Sequence, residues 1–134
     1  MLKVFTNGCF DLLHIGHVNA LQQIKVLYPN CFLTIGLNGD SSVKKLKGDS
    51  RPIIKESHRR QMLLALEVVD EVIIFYEDTP RTLISKVMPD VIVKGIDYHQ
   101  KEVVGFDDAK IGITLIHFQY EISTSDIIKK IKSM

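Results

Sequence analysis

Residues 7–21 read NGCFDLLHIGHVNAL, and several of them can do chemistry. His14 and His17 bracket Ile15-Gly16, and Asp11 stands just ahead of them. If a helix starts here, imidazoles three positions apart project from one side of it. Each can donate a hydrogen bond to a phosphate oxygen, and such donors bind more strongly as a transition state gathers negative charge. A helix start adds unpaired backbone N–H groups and a partial positive charge, which together favour phosphate. Gly8 would let the backbone of Asn7, Cys9 and Phe10 approach a ligand, and Gly16 would leave room beside the first turn. The plain alternative is that both histidines only cap and pack. The whole string, with Phe10-Asp11 ahead of the pair, argues for anion binding. Zinc fails for want of a third nearby ligand, and the glycine interrupts the pair. Cys9 has no evident partner base, so its backbone matters more than its sulfur. Asp11 could orient a histidine, bind magnesium, hydrogen-bond an acceptor substrate or simply close an Asx turn.

Two further groups suit an anion. Lys44, Lys45 and Lys47 would ordinarily be a solvated face, but they follow a strand at its ligand-facing end, so Lys44 or Lys47 becomes a candidate phosphate clamp. Ser123, Thr124 and Ser125 open the last helix. Ser123 reads as its N-cap with Asp126 completing a capping-box pattern, and a hydroxyl-rich helix start is also an anion site.

These residues need a scaffold, and the apolar runs supply one. Strands are expected at 2–6, 31–37, 71–75, 90–94 and 113–118. Helices are expected between them. One covers 16–28, with Ala20, Leu21, Ile24, Leu27 and Tyr28 on its apolar face, and stops at Pro29-Asn30. A helical turn covers 40–46. The next helix begins at Glu56 and turns Met62, Ala65, Leu66 and Val69 inward. Thr79-Pro80 suits an N-cap and first turn for a helix through Val87. The last helix turns Ile127, Ile128 and Ile131 inward. Solidly apolar strands alternating with helices predict an α/β fold: one Rossmann-like, doubly wound domain over 1–134 with a five-stranded, mainly parallel sheet. Ligands in such sheets bind outside the carboxyl ends of the strands. The corner at 7–17 would meet Asn38–Lys47, Lys94–Tyr98 and Glu121–Ser125 there.

The totals agree with this picture. A chain of 134 residues, 46% hydrophobic and 25% charged, can bury a core as one domain. The formal net charge of +1 speaks against a nucleic-acid coat protein. Two cysteines, Cys9 and Cys31, make no disulfide framework. No signal peptide and no membrane-spanning run is read, so a soluble cytoplasmic protein is expected, with neither nucleic acid nor membrane as partner.

NGCFDLLHIGH resembles the signature of the nucleotidyltransferases with a His-x-Gly-His motif, and Ile122–Asp126 resembles their second signature. The stretches LKGDSRPI (46–53), LEVVD (66–70), EDTP (77–80), PDVIVKGIDY (89–98), VVG (103–105) and STSDIIKKI (123–131) narrow this. They resemble the adenylyltransferase domain that makes ADP-heptose from heptose 1-phosphate for bacterial lipopolysaccharide. The chain departs from that family at Ile96, where a second glycine is common, and at Glu121, where a glycine is also usual. Glycerol 3-phosphate cytidylyltransferases share fold and signatures but usually carry an arginine where this chain has Glu67, which favours ATP over CTP. HIGH also occurs in class I aminoacyl-tRNA synthetases, but a KMSKS loop is missing.

The resemblance implies ATP, a small phosphorylated sugar or alcohol, Mg²⁺ accompanying the nucleotide, and a homodimer. It places Gly95 and Asp97 by the adenine or ribose and makes Arg51 a candidate for the acceptor phosphate. A nucleotide-binding module without catalysis is the competing reading.

Overall fold

The computed structural model describes residues 1–95, 112–116 and 122–134. Five strands run in the order β3-β2-β1-β4-β5. They are β1 (Lys3–Gly8), β2 (Phe32–Asn38), β3 (Glu71–Phe75), β4 (Val91–Gly95) and β5 (Gly112–Ile116). Every pairing is parallel, so the expected "mainly parallel" sheet is wholly so among the described residues. The helices are α1 (Ile15–Leu27), α2 (Asp40–Lys47), α3 (Glu56–Leu64), α4 (Arg81–Val87) and α5 (Thr124–Lys132).

The chain steps outward from β1 to β3, then crosses back to β4. The strand order therefore reverses between β1 and β4, and a crevice is expected at that switch point. Regular β1–β4 pairing covers only Val4–Val91 and Phe5–Ile92. Beyond it Thr6 Oγ1 donates to Val93 O at 2.9 Å. A side chain thus stands where ladder bonds would be, and the carboxyl ends of β1 and β4 part to open the crevice.

Two apolar layers flank the sheet. The larger joins Leu21 and Ile24 of α1 and Leu63 of α3 to Val4, Leu33, Ile35 and Val93. The smaller packs Leu83 and Ile84 of α4 on Phe5, Phe75 and Ile92. Each such buried aliphatic side chain contributes about 1.5–3 kcal/mol. Asp70 ties α1 to the start of β2: it accepts from Leu33 N at 2.8 Å and Lys25 Nζ at 2.9 Å.

Several faces differ from expectation. α3 ends at Leu64, so Ala65, Leu66 and Val69 lie beyond it, and Met62 is 55% exposed. Its buried residues are Leu63 and, one turn earlier, Arg59. Phasing the pattern on Met62 rotated the helix by one residue. Leu27 at 52% and Ile131 at 59% are exposed; at the end of α1 it is Tyr28 that packs on the core and reaches Thr114 Oγ1 of β5. α4 takes Pro80, not Thr79, as its N-cap, with no side-chain cap bond. Ser123 does cap α5, accepting from Asp126 N at 3.1 Å.

Candidate active site

A cavity of about 1040 Å³ opens at the carboxyl ends of β1 and β4. A smaller one, about 590 Å³, lies elsewhere, between β3 and α4. The large cavity collects Asn7, Gly8, Cys9, Phe10, Gly16 and both histidines from the β1–α1 corner, Lys47 and Arg51 from the other side, and Gly95 at the end of β4. Ser123, Thr124 and Ser125 close it from the start of α5. Of the two candidate clamps, Lys47 lines the cavity and Lys44 is not among its lining residues. Asp97, Tyr98 and Glu121 lie outside the described residues.

The two histidines form a capping box made of imidazoles. His14 is the N-cap of α1, and its Nδ1 accepts from Gly16 N at 3.1 Å. The His14 backbone N–H donates to His17 Nδ1 at 3.2 Å. A ring nitrogen that accepts carries no proton, so this network assigns both neutral rings their N–H at Nε2. The rings stack with centroids 3.8 Å apart and planes 21° from parallel. Phe10 leans on His17 at 5.3 Å.

Burial and the neighbouring His14 push His17 down to about 4, and burial lowers His14 as well. The pair therefore offers two neutral N–H donors near pH 7, in keeping with the hydrogen-bonding role expected of them. His14 Nε2 is buried without a hydrogen-bond partner among the described residues. Leaving such a donor unsatisfied costs about 1–3 kcal/mol. A phosphate oxygen would relieve it.

Gly16 serves this arrangement. A Cβ there would stand 2.9 Å from His14 Cε1 and 3.1 Å from Ile122 Cγ2. The room beside the first turn is taken by the His14 ring, not left for ligand.

The corner before α1 is tightly bent. Phe10 and Leu12 both take left-handed backbone conformations, at φ 49° and 52°. Conformations of this kind cost non-glycine residues energy and persist where surroundings over-determine them. Asp11, between them, is 1% exposed. Its Oδ2 accepts from Arg51 Nε at 3.0 Å and Ile53 N at 2.7 Å, and its Oδ1 from Ile54 N at 2.9 Å. Burial alone would raise this carboxyl; the Ile53 and Ile54 N–H groups and the Arg51 guanidinium outweigh it and hold it below the usual range. Asp11 orients neither histidine. It fastens the 51–54 loop and presents Arg51 to the cavity, so its reach toward an acceptor runs through Arg51.

Arg59 was not singled out in the sequence, yet it braces the site from beneath. It is 2% exposed. Its Nη1 donates to Cys9 O at 2.7 Å and Asn38 O at 2.8 Å. Its Nη2 donates to Asp40 Oδ1 at 2.8 Å and its Nε to Ile54 O at 2.8 Å. One planar fork thus joins the carboxyl ends of β1 and β2, the start of α2 and the loop before α3. Within Arg59-Arg60 it looks like a solvated charge; its place four residues before Leu63, on the buried face, was the usable signal.

Burial raises the Cys9 thiol despite Lys47, Arg59 and Arg51 nearby, so Cys9 stays a thiol rather than a nucleophile. Lys94, also not singled out, lines the cavity from the penultimate position of β4, with its Nζ 3.4 Å from Asn7 O. No group of three or more His, Cys, Asp or Glu residues among the described residues could hold a metal ion. No helix there is long and apolar enough to cross a membrane.

The sheet, the switch-point cavity and the imidazole pair can be set beside known proteins. Residues 5–131 match the family described as cytidylyltransferase-like. The chain is 54% identical over 129 residues to the bifunctional protein HldE of Helicobacter pylori strain P12, covering 96% of this chain and 27% of that protein. It is 53% identical over 129 residues to HldE of Campylobacter fetus subsp. fetus, with 96% and 28% covered. The chain thus spans about a quarter of the length of these relatives. Among solved structures, a lipopolysaccharide core biosynthesis protein from Thermoplasma volcanium superposes with a TM-score of 0.70. It is 26% identical, with 91% of this chain and 99% of that one covered.

Proposed function

The chain belongs to the cytidylyltransferase-like family of nucleotidyltransferases, and from that premise we propose that it transfers AMP from ATP to heptose 1-phosphate, giving ADP-heptose and pyrophosphate. The observation that carries the transfer is the stacked imidazole pair at a helix start, lining a cavity at the sheet's switch point. The sugar phosphate is supported by the likeness to HldE and by the motifs at 46–53 and 89–98.

In the reaction a lone pair on the acceptor's phosphate oxygen forms a bond to the α-phosphorus of the magnesium nucleotide. The bond from that phosphorus to the bridging oxygen breaks in line, and its electron pair leaves with pyrophosphate. No protein nucleophile takes part, so catalysis is positioning and charge stabilisation. Backbone N–H groups at Gly8–Phe10 and the Nε2–H groups of His14 and His17 hold the α-phosphate and the bridging oxygen. Because both donors are preset by the capping box, they need not reorganise as charge develops. Ser123, Thr124 and Ser125 receive the β- and γ-phosphates at the start of α5. Lys47 and Arg51 face them and supply the positive charge that the neutral histidines lack. Gly95 lies by the adenine or ribose, and the magnesium comes with the triphosphate as part of the substrate.

The test is pyrophosphate release with ATP or CTP against heptose 1-phosphate or glycerol 3-phosphate. Release with ATP and heptose 1-phosphate alone supports this reading. Release with CTP and glycerol 3-phosphate replaces both substrates and keeps the mechanism. Nucleotide binding without release in any pairing would make the domain a non-catalytic binding module.

A further inference from the structure

Neither α2 nor α3 is capped by the side chain of its own N-cap residue, which is Gly39 in one and Lys55 in the other. Each helix is capped by the other. The Asp40 N–H donates to Glu56 Oε1 and the Glu56 N–H to Asp40 Oδ1, both at 2.9 Å. Two further groups converge on this pair. Asp40 Oδ1 also accepts from Arg59 Nη2 at 2.8 Å, and the Tyr76 hydroxyl donates to Glu56 Oε2. The Tyr76 ring lies against Gly39, where a Cβ would stand 2.3 Å from its Cε1.

A chain of hydrogen bonds therefore runs from Tyr76, exposed and outside the catalytic cavity, through Glu56, Asp40 and Arg59 to the carbonyl of Cys9. The Cys9–Phe10 peptide is trans, so its C=O and N–H point in opposite directions. Arg59 holds the oxygen at 2.7 Å and does not line the cavity, whereas Cys9 and Phe10 do. The Phe10 N–H is thus turned away from Arg59, and it has no hydrogen-bond partner among the described residues. Phe10 itself holds the left-handed φ of 49°, a conformation that persists only where its surroundings brace it.

Resting on the reading above that backbone N–H groups of this corner hold the α-phosphate, we propose that Glu56 and Tyr76 are positioning residues. Acting through Asp40 and Arg59, they aim the Phe10 N–H at the transferring phosphate. A donor to developing charge is most effective when it is fixed beforehand. The Nη2 end of Arg59 is fixed by Asp40, and Asp40 by Glu56. Mutual capping accounts for the bonds between Asp40 and Glu56. It does not account for the Tyr76 hydroxyl, which caps no helix N–H.

The test uses the full chain and three variants at these two residues, neither of which lines the catalytic cavity. Tyr76→Phe removes the hydroxyl and keeps the ring on Gly39. Glu56→Ala releases Asp40, and Glu56→Gln keeps an acceptor for the Asp40 N–H. One readout is the Phe10 amide resonance, followed by ¹⁵N–¹H NMR as the magnesium complex of α,β-methylene ATP or CTP is added. The other is kcat and KM for whichever nucleotide and acceptor pair releases pyrophosphate.

In the wild type, nucleotide should move the Phe10 resonance downfield. Tyr76→Phe should shrink that shift by about half or more and lower kcat about 5-fold, with KM values within about twofold. Its melting temperature should barely change, because one exposed hydrogen bond is lost. Glu56→Ala should lower kcat about 10- to 100-fold, and Glu56→Gln should restore most of it. A full Phe10 shift in Tyr76→Phe, or a loss of kcat that only tracks a lower melting temperature, would make the network purely structural and overturn the proposal. Should Glu56→Ala fail to fold, Tyr76→Phe decides alone. If Phe10 in the wild type responds to neither nucleotide, the corner is not the phosphate site, and the reading above falls with the proposal. If Phe10 responds but no pair releases pyrophosphate, the Phe10 shift in the variants decides the proposal and only the proposed transfer falls.

Discussion

Two helix starts face the cavity, and they are built differently. α1 begins with imidazoles that cap each other and stack, above a corner pinned by Asp11 and Arg59. Its body is anchored in the core through Leu21 and Ile24. α5 begins with the Ser123 hydroxyl and buries no residue fully. Its start is joined to the corner by Thr124 Oγ1, which donates to Asp11 O at 2.6 Å. The difference fits the tasks proposed for them. Donors to a developing charge gain most when they are already in place. A grip on a leaving pyrophosphate must also let go.

If the α1 corner is rigid because it is clamped, removing the clamp should be the most damaging change. Arg59→Met strips the carbonyls of Cys9, Asn38 and Ile54 and the Asp40 carboxylate of their partner. We expect a loss on the order of 3–5 kcal/mol in unfolding free energy, read by urea denaturation. A loss below about 1 kcal/mol would mean the corner holds its shape without it.

His17→Ala leaves that clamp in place and removes one preset donor. It should fold and bind nucleotide, with kcat lowered about 10²–10³-fold. Wild-type turnover in this variant would put the chemistry elsewhere.

Acid should loosen α1 before α5. His17 titrates near 4 when folded, below its usual 6.5, so the unfolded chain binds more protons between these values. Stability is complete above about 6.5 and declines as pH falls toward 4, by about 2–3 kcal/mol. Asp11, also lowered by folding, adds to the loss at lower pH. His17→Gln should flatten the upper part of this profile; an unchanged profile would show that His17 is not its source.

The smallest effect is expected at α5. Thr124→Val removes a single hydrogen bond, about 0.5–1.5 kcal/mol, and should raise the nucleotide KM several-fold with little change in kcat. An equal fall in kcat would make the two helix starts alike and dissolve the contrast.

Much of the site was readable because its parts lie close together in the chain. His14, Gly16 and His17 share one turn of helix, so spacing alone put both rings on one side. The alternation of apolar strands with helices placed that turn at a strand's carboxyl end. Ser123 was legible as a cap for the same local reason. The failures share the opposite cause. Asp11 was open to four roles because its partners, Arg51, Ile53 and Ile54, are some 40 residues away. Arg59 was not singled out because its carbonyl partners, Cys9 and Asn38, are 50 and 21 residues away. Met62 and Leu27 were assigned inward by a periodicity that does not fix the phase of a helix to within one residue: the neighbours Leu63 and Tyr28 are the ones that pack on the core.

By itself, then, the sequence determined the fold class, the order of elements and the position of the helix start that carries His14 and His17, since backbone hydrogen bonding and apolar periodicity act over a few residues. Tertiary structure alone decided which ring nitrogens carry the protons, that both imidazoles are neutral, and that Lys47 rather than Lys44 lines the cavity. It alone set Lys94 at the cavity floor. Those properties depend on burial and on partners distant in sequence, and these exist only once β1 and β4 are side by side.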